Sequence, residues 1–136
     1  MSWEAARTPE FDQWWERLTD SEQRRVVASV EALEELGPTA GRPLVDSVHG
    51  SRYSNMKELR VGKTIRVFFA FDPHQVAILL IGGDKAGKTK RFYKQMVRKA
   101  DQIYKEHLES AGLPRDKETP DDGRNEEISG TQQGGP

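Results

Sequence analysis

The stretch KELRVGKTIRVFFAFDPHQVAILLIGGDKAGKTKRFY, residues 57–93, decides the fold. Apolar residues alternate before Gly62 and again after Thr64, which predicts strands, because successive strand side chains point to opposite faces. Ile65, Val67, Phe69 and Phe71 make one face of a central strand, and Leu59 and Val61 offer the matching face before it. Pairing core with core sets Val61 beside Ile65 and Leu59 beside Val67 across a short loop, Gly62-Lys63-Thr64. On the opposite face the same register puts Arg60 beside Arg66 and Glu58 beside Phe68. Asp72-Pro73-His74-Gln75 supplies the next turn. A loop of that length pairs Phe71 with Val76, Phe69 with Ile78, Val67 with Leu80 and Arg66 with Ile81. The segment therefore reads as an antiparallel three-strand meander ending near Gly82-Gly83-Asp84-Lys85.

Upstream, Trp3–Arg7 reads as a short strand, and Thr8-Pro9 as a helix start with Thr capping and Pro in the first turn. The first helix, 9–18, carries Phe11, Trp14, Trp15 and Leu18 at helical spacing. Thr19-Asp20-Ser21-Glu22 is a capping box that opens a second helix, which carries Val26, Val30 and Leu33 and stops at Gly37-Pro38. Residues 37–55, rich in Gly, Pro and Ser, read as a long loop, and such loops are often functional. Downstream, Phe92, Met96, Ala100, Ile103 and His107 form the expected buried stripe of a last helix, with Tyr93 on a neighbouring face. The expected fold class is α+β: a strand and α-hairpin packed on a small antiparallel sheet, then a C-terminal helix. Residues 1–108 hold every Trp, Phe and Tyr and form the expected domain. Residues 109–136 are poor in large apolar side chains and are expected to be a disordered acidic tail.

Charge is distributed in blocks. Residues 1–56 hold 6 Lys/Arg against 10 Asp/Glu, residues 57–108 hold 12 against 5, and residues 109–136 hold 3 against 7. A basic block between two acidic ones points to a polyanionic partner, most simply nucleic acid. There is no cysteine, which excludes disulfides and thiolate chemistry. His49, His74 and His107 are not at ligand spacing, so no metal site is expected. No apolar run is long enough to span a bilayer and the start is not a secretory signal, so the expected compartment is the cytoplasm, with no membrane partner.

The meander gathers Arg60, Arg66 and Lys85 at one end of an otherwise apolar sheet. Opposed arginines repel unless an anion sits between them. Two anions qualify: the Glu58 carboxylate, or a bound phosphate. Lys88, Lys90, Arg91, Lys94 and Arg98 extend the positive field over the last helix as candidate RNA-binding residues. Gly82–Thr89 also matches the phosphate-loop pattern G-x-x-x-x-G-K-[ST]. That motif works in a parallel sheet with crossover helices, whereas this meander is antiparallel, so no nucleotide cofactor is expected.

The order of elements, with MKELR at 56–60, IRVFFAF at 65–71, AILLIGGDK at 77–85 and Ala100-Asp101 in the last helix, resembles the RelE/HigB superfamily of type II toxins, in its HigB-like, phage Gp49-related branch. The resemblance implies a RelE-like fold and a ribosome-dependent mRNA endoribonuclease that blocks translation. It implies metal-independent attack of a 2′-hydroxyl on the adjacent phosphate, with Arg66, Arg60, Lys57, Glu58, Lys85 and Tyr93 as catalytic candidates. The lysine that RelE places two residues before a strand arginine falls at Glu58 here, flanked by Lys57 and Arg60. The resemblance further implies a cognate helix-turn-helix antitoxin, with ribosome and mRNA as the other partners and growth arrest as the outcome. A ParE-type gyrase poison and a non-catalytic RNA-binding module are the alternatives.

Overall fold

The computed structural model describes residues 2–113. In chain order these form β1 (Ala5–Arg7), α1 (Pro9–Trp15), α2 (Asp20–Leu36), a 3-10 turn (Gly37–Thr39), β2 (Val45–Ser47), β3 (Lys57–Val61), β4 (Ile65–Phe71), β5 (Ala77–Asp84) and α3 (Thr89–Ala111). The strands make one sheet in the order β1-β5-β4-β3-β2. Only the β1–β5 pair is parallel; the others are antiparallel. This is the expected α+β class, a strand and α-hairpin on an antiparallel meander with a C-terminal helix.

The caps act as the sequence indicates. The Thr8 hydroxyl accepts the Phe11 amide at 3.1 Å and donates to the Leu80 carbonyl at 2.7 Å, pinning the start of α1 to β5. Thr19 and Glu22 exchange their capping-box bonds at 3.1 and 2.9 Å. That box needs Thr19 extended, so α1 leaves helical geometry at Trp15 rather than Leu18, through tight Arg17–Trp14 and Leu18–Trp15 backbone bonds.

Two cores sandwich the sheet. On one face α1 and α2 bury Phe11, Trp14, Val26 and Leu33 against Leu59, Val61, Ile65, Val67, Phe69 and Leu79. On the other, α3 buries Phe92, Met96, Val97, Ala100, Ile103, Tyr104 and Leu108 against Phe68, Ala70, Ile78 and Leu80. His107 lies beside this stripe, its imidazole Nε2 3.1 Å from the buried Asp72 carboxylate at the β4–β5 turn.

The first hairpin has the expected register, Arg60 opposite Arg66 and Glu58 opposite Phe68. Its left-handed residue is Gly62, at φ +65°, which relieves Thr64 of that conformation. The second hairpin differs. Phe71 pairs with Ala77 and Phe69 with Leu79, and a bulge then sets Phe68 beside Ile81 and Arg66 beside Gly83. The slip begins at the turn, where 72–76 form a five-residue loop with Gln75 at φ +64°, and it doubles at the bulge, because Leu80 and Ile81 both join the α3 core and the run does not alternate. The long loop also contains a strand, since Val45–Ser47 pairs antiparallel with Lys57–Leu59. The division expected at residue 108 falls inside α3, which continues to Ala111 and closes on a left-handed Gly112. The tail expected beyond it lies, from residue 114, outside the described residues.

Candidate active site

The β3–β4 hairpin, the end of β5, the N-terminal turns of α3 and the segment after β2 enclose a cleft of about 640 Å³. Glu58, Arg60, Arg66, Lys85, Lys90 and Tyr93 all line it. β3 presents Glu58 and Arg60 because strand alternation sends Leu59 and Val61 to the opposite core. Lys57 shares the parity of Leu59, pairs with Ser47 and Phe69, and is the one expected catalytic residue that the fold does not bring into the cleft.

Glu58 is the centre. It is only 3% exposed. Its Oε1 accepts the Tyr93 hydroxyl at 2.5 Å, and its Oε2 accepts Arg60 Nε at 3.2 Å. The Arg66 Nε stands 3.8 Å from Oε1, beyond hydrogen-bond length. The carboxylate therefore sits between the two opposed arginines and offsets their repulsion. Arg60 is shared further: its Nη2 donates to Asp46 at 3.1 Å, and Asp46 also takes Arg42 at 3.3 Å. The Ser47 amide, and then the two arginines, hold the Asp46 carboxyl below its ordinary range against an opposing effect of burial.

Arg66 is almost wholly buried, and its terminal nitrogens are committed to the hairpin backbone. Nη1 donates to Ile65 at 2.8 Å and Gly62 at 3.4 Å, and Nη2 donates to Lys63 at 3.1 Å. Its Nε has no hydrogen-bond partner among the described residues and faces the cleft floor beside Glu58. Tyr93 is fixed edge-on against Phe68 and Phe92, at 6.0 and 5.2 Å. Burial first, then the bond and charge of Glu58, push its phenol up to about 12, with Arg66 opposing. The phenol is thus a neutral proton donor bound to a carboxylate acceptor.

Around α3 the cations divide. Lys90 enters the cleft, whereas Arg91, Lys94 and Arg98, with Gln95 and Lys99, line a separate surface groove of about 570 Å³. Lys88 is exposed at the N-cap position and lines neither. The phosphate-loop match dissolves into packing. Gly82 and Gly83 belong to β5, where an added Cβ would come within 2.5 Å of Trp14 and 2.8 Å of Phe92 respectively. These glycines let helices approach the sheet closely. Asp46, His49 and Thr89 also line the cleft, and sequence reasoning does not single them out as part of it. Their only signal is the length of the 37–55 loop for the first two, and for Thr89 its position at the start of the basic helix.

The antiparallel-dominated five-strand sheet, the N-terminal α-hairpin and the C-terminal helix are consistent with the RelE-like class of small toxins. A model of the phage-derived Gp49-like protein family matches residues 13–105. The candidate toxin HigB3 of Mycobacterium tuberculosis is 48% identical over 95 residues, which cover 69% of this chain and 83% of HigB3. The candidate toxin HigB2 of the same organism is 46% identical over 99 residues, covering 70% of this chain and 49% of HigB2, about half its length. The chain belongs to the Gp49-like family, among the HigB-like toxins of the RelE/ParE superfamily.

Proposed function

We propose that this chain is the toxin of a type II toxin–antitoxin pair, an mRNA endoribonuclease acting at the ribosome without a metal ion. The observation that carries the reading is the Tyr93–Glu58 donor–acceptor pair at the floor of a cleft rimmed by Arg60, Lys85 and Lys90. Glu58 takes the proton of the attacking 2′-hydroxyl, whose oxygen bonds to phosphorus. As the P–O5′ bond breaks, Tyr93 gives its proton to the leaving oxygen, and Glu58 then returns a proton to the phenolate. The products are a 2′,3′-cyclic phosphate and a 5′-hydroxyl. Arg60, Lys85 and Lys90 stabilise the charge that develops on the phosphorane oxygens. Arg66 is a positioning residue: its terminal nitrogens fix the hairpin, and its Nε steadies the Glu58–Tyr93 pair. Lys88, Arg91, Lys94 and Arg98 hold flanking ribosomal RNA or message. A cognate antitoxin with a helix-turn-helix domain masks the cleft.

The test is expression without antitoxin, with 5′ ends of mRNA mapped genome-wide. New 5′-hydroxyl ends within ribosome-covered codons are expected, and both Glu58→Gln and Tyr93→Phe should reduce them about a hundredfold. Intact mRNA accompanied by gyrase-dependent DNA breaks would move the assignment to the ParE-type activity.

A further inference from the structure

Beside the catalytic cleft, the loop at residues 49–52 and one face of α3 enclose a second recess of about 340 Å³. Its lining includes His49 and Tyr93, the bare backbone of Gly50 and the aliphatic Val97, with Arg52, Lys94 and Arg98 as cations and Asp101 as the one carboxylate. The recess shares His49 and Tyr93 with the cleft, and it shares Lys94 and Arg98 with the outer basic groove. The recess is therefore adjacent to both and lies between them. A strand whose phosphates engage both the cleft and the outer groove has to carry the intervening nucleoside over the recess.

The wall of the recess is set in place before any ligand arrives. Asp101 is 7% exposed, and its Oδ1 accepts the Ser51 hydroxyl at 2.5 Å while its Oδ2 accepts the Arg52 amide at 2.9 Å. The Ser51 oxygen in turn accepts the Tyr53 amide at 3.0 Å. A buried carboxylate on α3 thus fixes the loop that carries His49, and a preformed wall spares a ligand the cost of ordering it. Aromatic and imidazole rings next to cations are the surroundings in which unstacked RNA bases are bound, by stacking on the ring faces.

We propose that this recess is a nucleobase subsite: it takes one base of single-stranded RNA whose neighbouring phosphate lies in the cleft, and it sets the base preference of the site. Asp101 is its positioning residue. The inference rests on reading the cleft as an RNA site. It is tested by fluorescence anisotropy with a short labelled 2′-O-methyl RNA, which lacks the nucleophile, against a fully abasic strand of equal length. The unmodified protein should bind the base-bearing strand about tenfold more tightly. His49→Ala should cut that advantage to about twofold or less. Asp101→Asn, which replaces one acceptor oxygen with a donor amide beside the Ser51 hydroxyl and the Arg52 amide, should lose the same advantage. Equal binding of the two strands by the unmodified protein, or an advantage that survives in His49→Ala, overturns the subsite and leaves the RNA reading standing. Failure to bind either strand overturns both. Base-dependent binding without any cleavage of the corresponding ribose message on programmed ribosomes keeps the subsite and removes the nuclease.

Discussion

Glu58 is held from three sides, and the three holds differ in kind. Tyr93 donates a neutral hydrogen bond, Arg60 a charged one, and Arg66 stands just beyond bonding distance while gripping the hairpin carbonyls. Arg66→Ala therefore removes more than one member of a repelling pair. It leaves a buried carboxylate less compensated and frees carbonyls of the β3–β4 loop, so urea unfolding should show a loss of about 1–3 kcal/mol. Arg66→Lys should not restore it, because an ammonium lacks the planar fork that reaches both Ile65 and Lys63. Tyr93 sets a pH limit. Its phenol is pushed up to about 12 in the folded chain, whereas an unfolded tyrosine ionises near pH 10. The folded value is the higher one, so its contribution to stability is complete below about pH 10 and is lost as pH rises through about 12. A tyrosinate absorbance titration should show a late step near pH 12 that disappears in Tyr93→Phe.

Among the elements, β5 is where local pattern and tertiary packing part company. The first hairpin is legible because both its strands alternate, and alternation alone is enough to bring Arg60, Arg66 and Glu58 to one face. β5 buries Leu80 and Ile81 on the same side, so its bulge leaves no trace in an unbroken apolar run. β2 is illegible for another reason: Val45-Asp46-Ser47 is too short for a period and gains strand geometry only by pairing with β3. Asp46 and His49 arrive at the site through that short strand, which is why the side chains of the cleft's far wall cannot be named from sequence. Gly82 and Gly83 are visible in sequence, but as a motif of the wrong fold. Gly82→Ala tests their packing role. Its Cβ would press on Trp14 at 2.5 Å, so the variant should be destabilised by about 1–3 kcal/mol, with a shift in tryptophan emission. A phosphate-loop role predicts lost nucleotide binding instead.

For the whole molecule, the basic block of the sequence becomes a row of adjacent depressions from the cleft to the outer face of α3. Association with RNA should therefore weaken steeply with salt, and Arg98→Ala should flatten the log–log slope by about 0.7, one single-strand phosphate contact. Calorimetry with magnesium present should show no ATP or GTP binding by the unmodified protein. Micromolar binding that disappears in Lys88→Ala would return the phosphate loop to contention. The seat of Glu58 between Arg60 and Arg66 bears on selectivity at this scale. The cleft carries its own tethered anion, and any free phosphate or mononucleotide competes with it singly, against a rival present at an effective concentration of about millimolar or more. A strand anchored along α3 delivers its phosphate tethered as well, and so meets the carboxylate on equal terms. On this arrangement the cleft should turn away the small anions dissolved around it and admit a polymer.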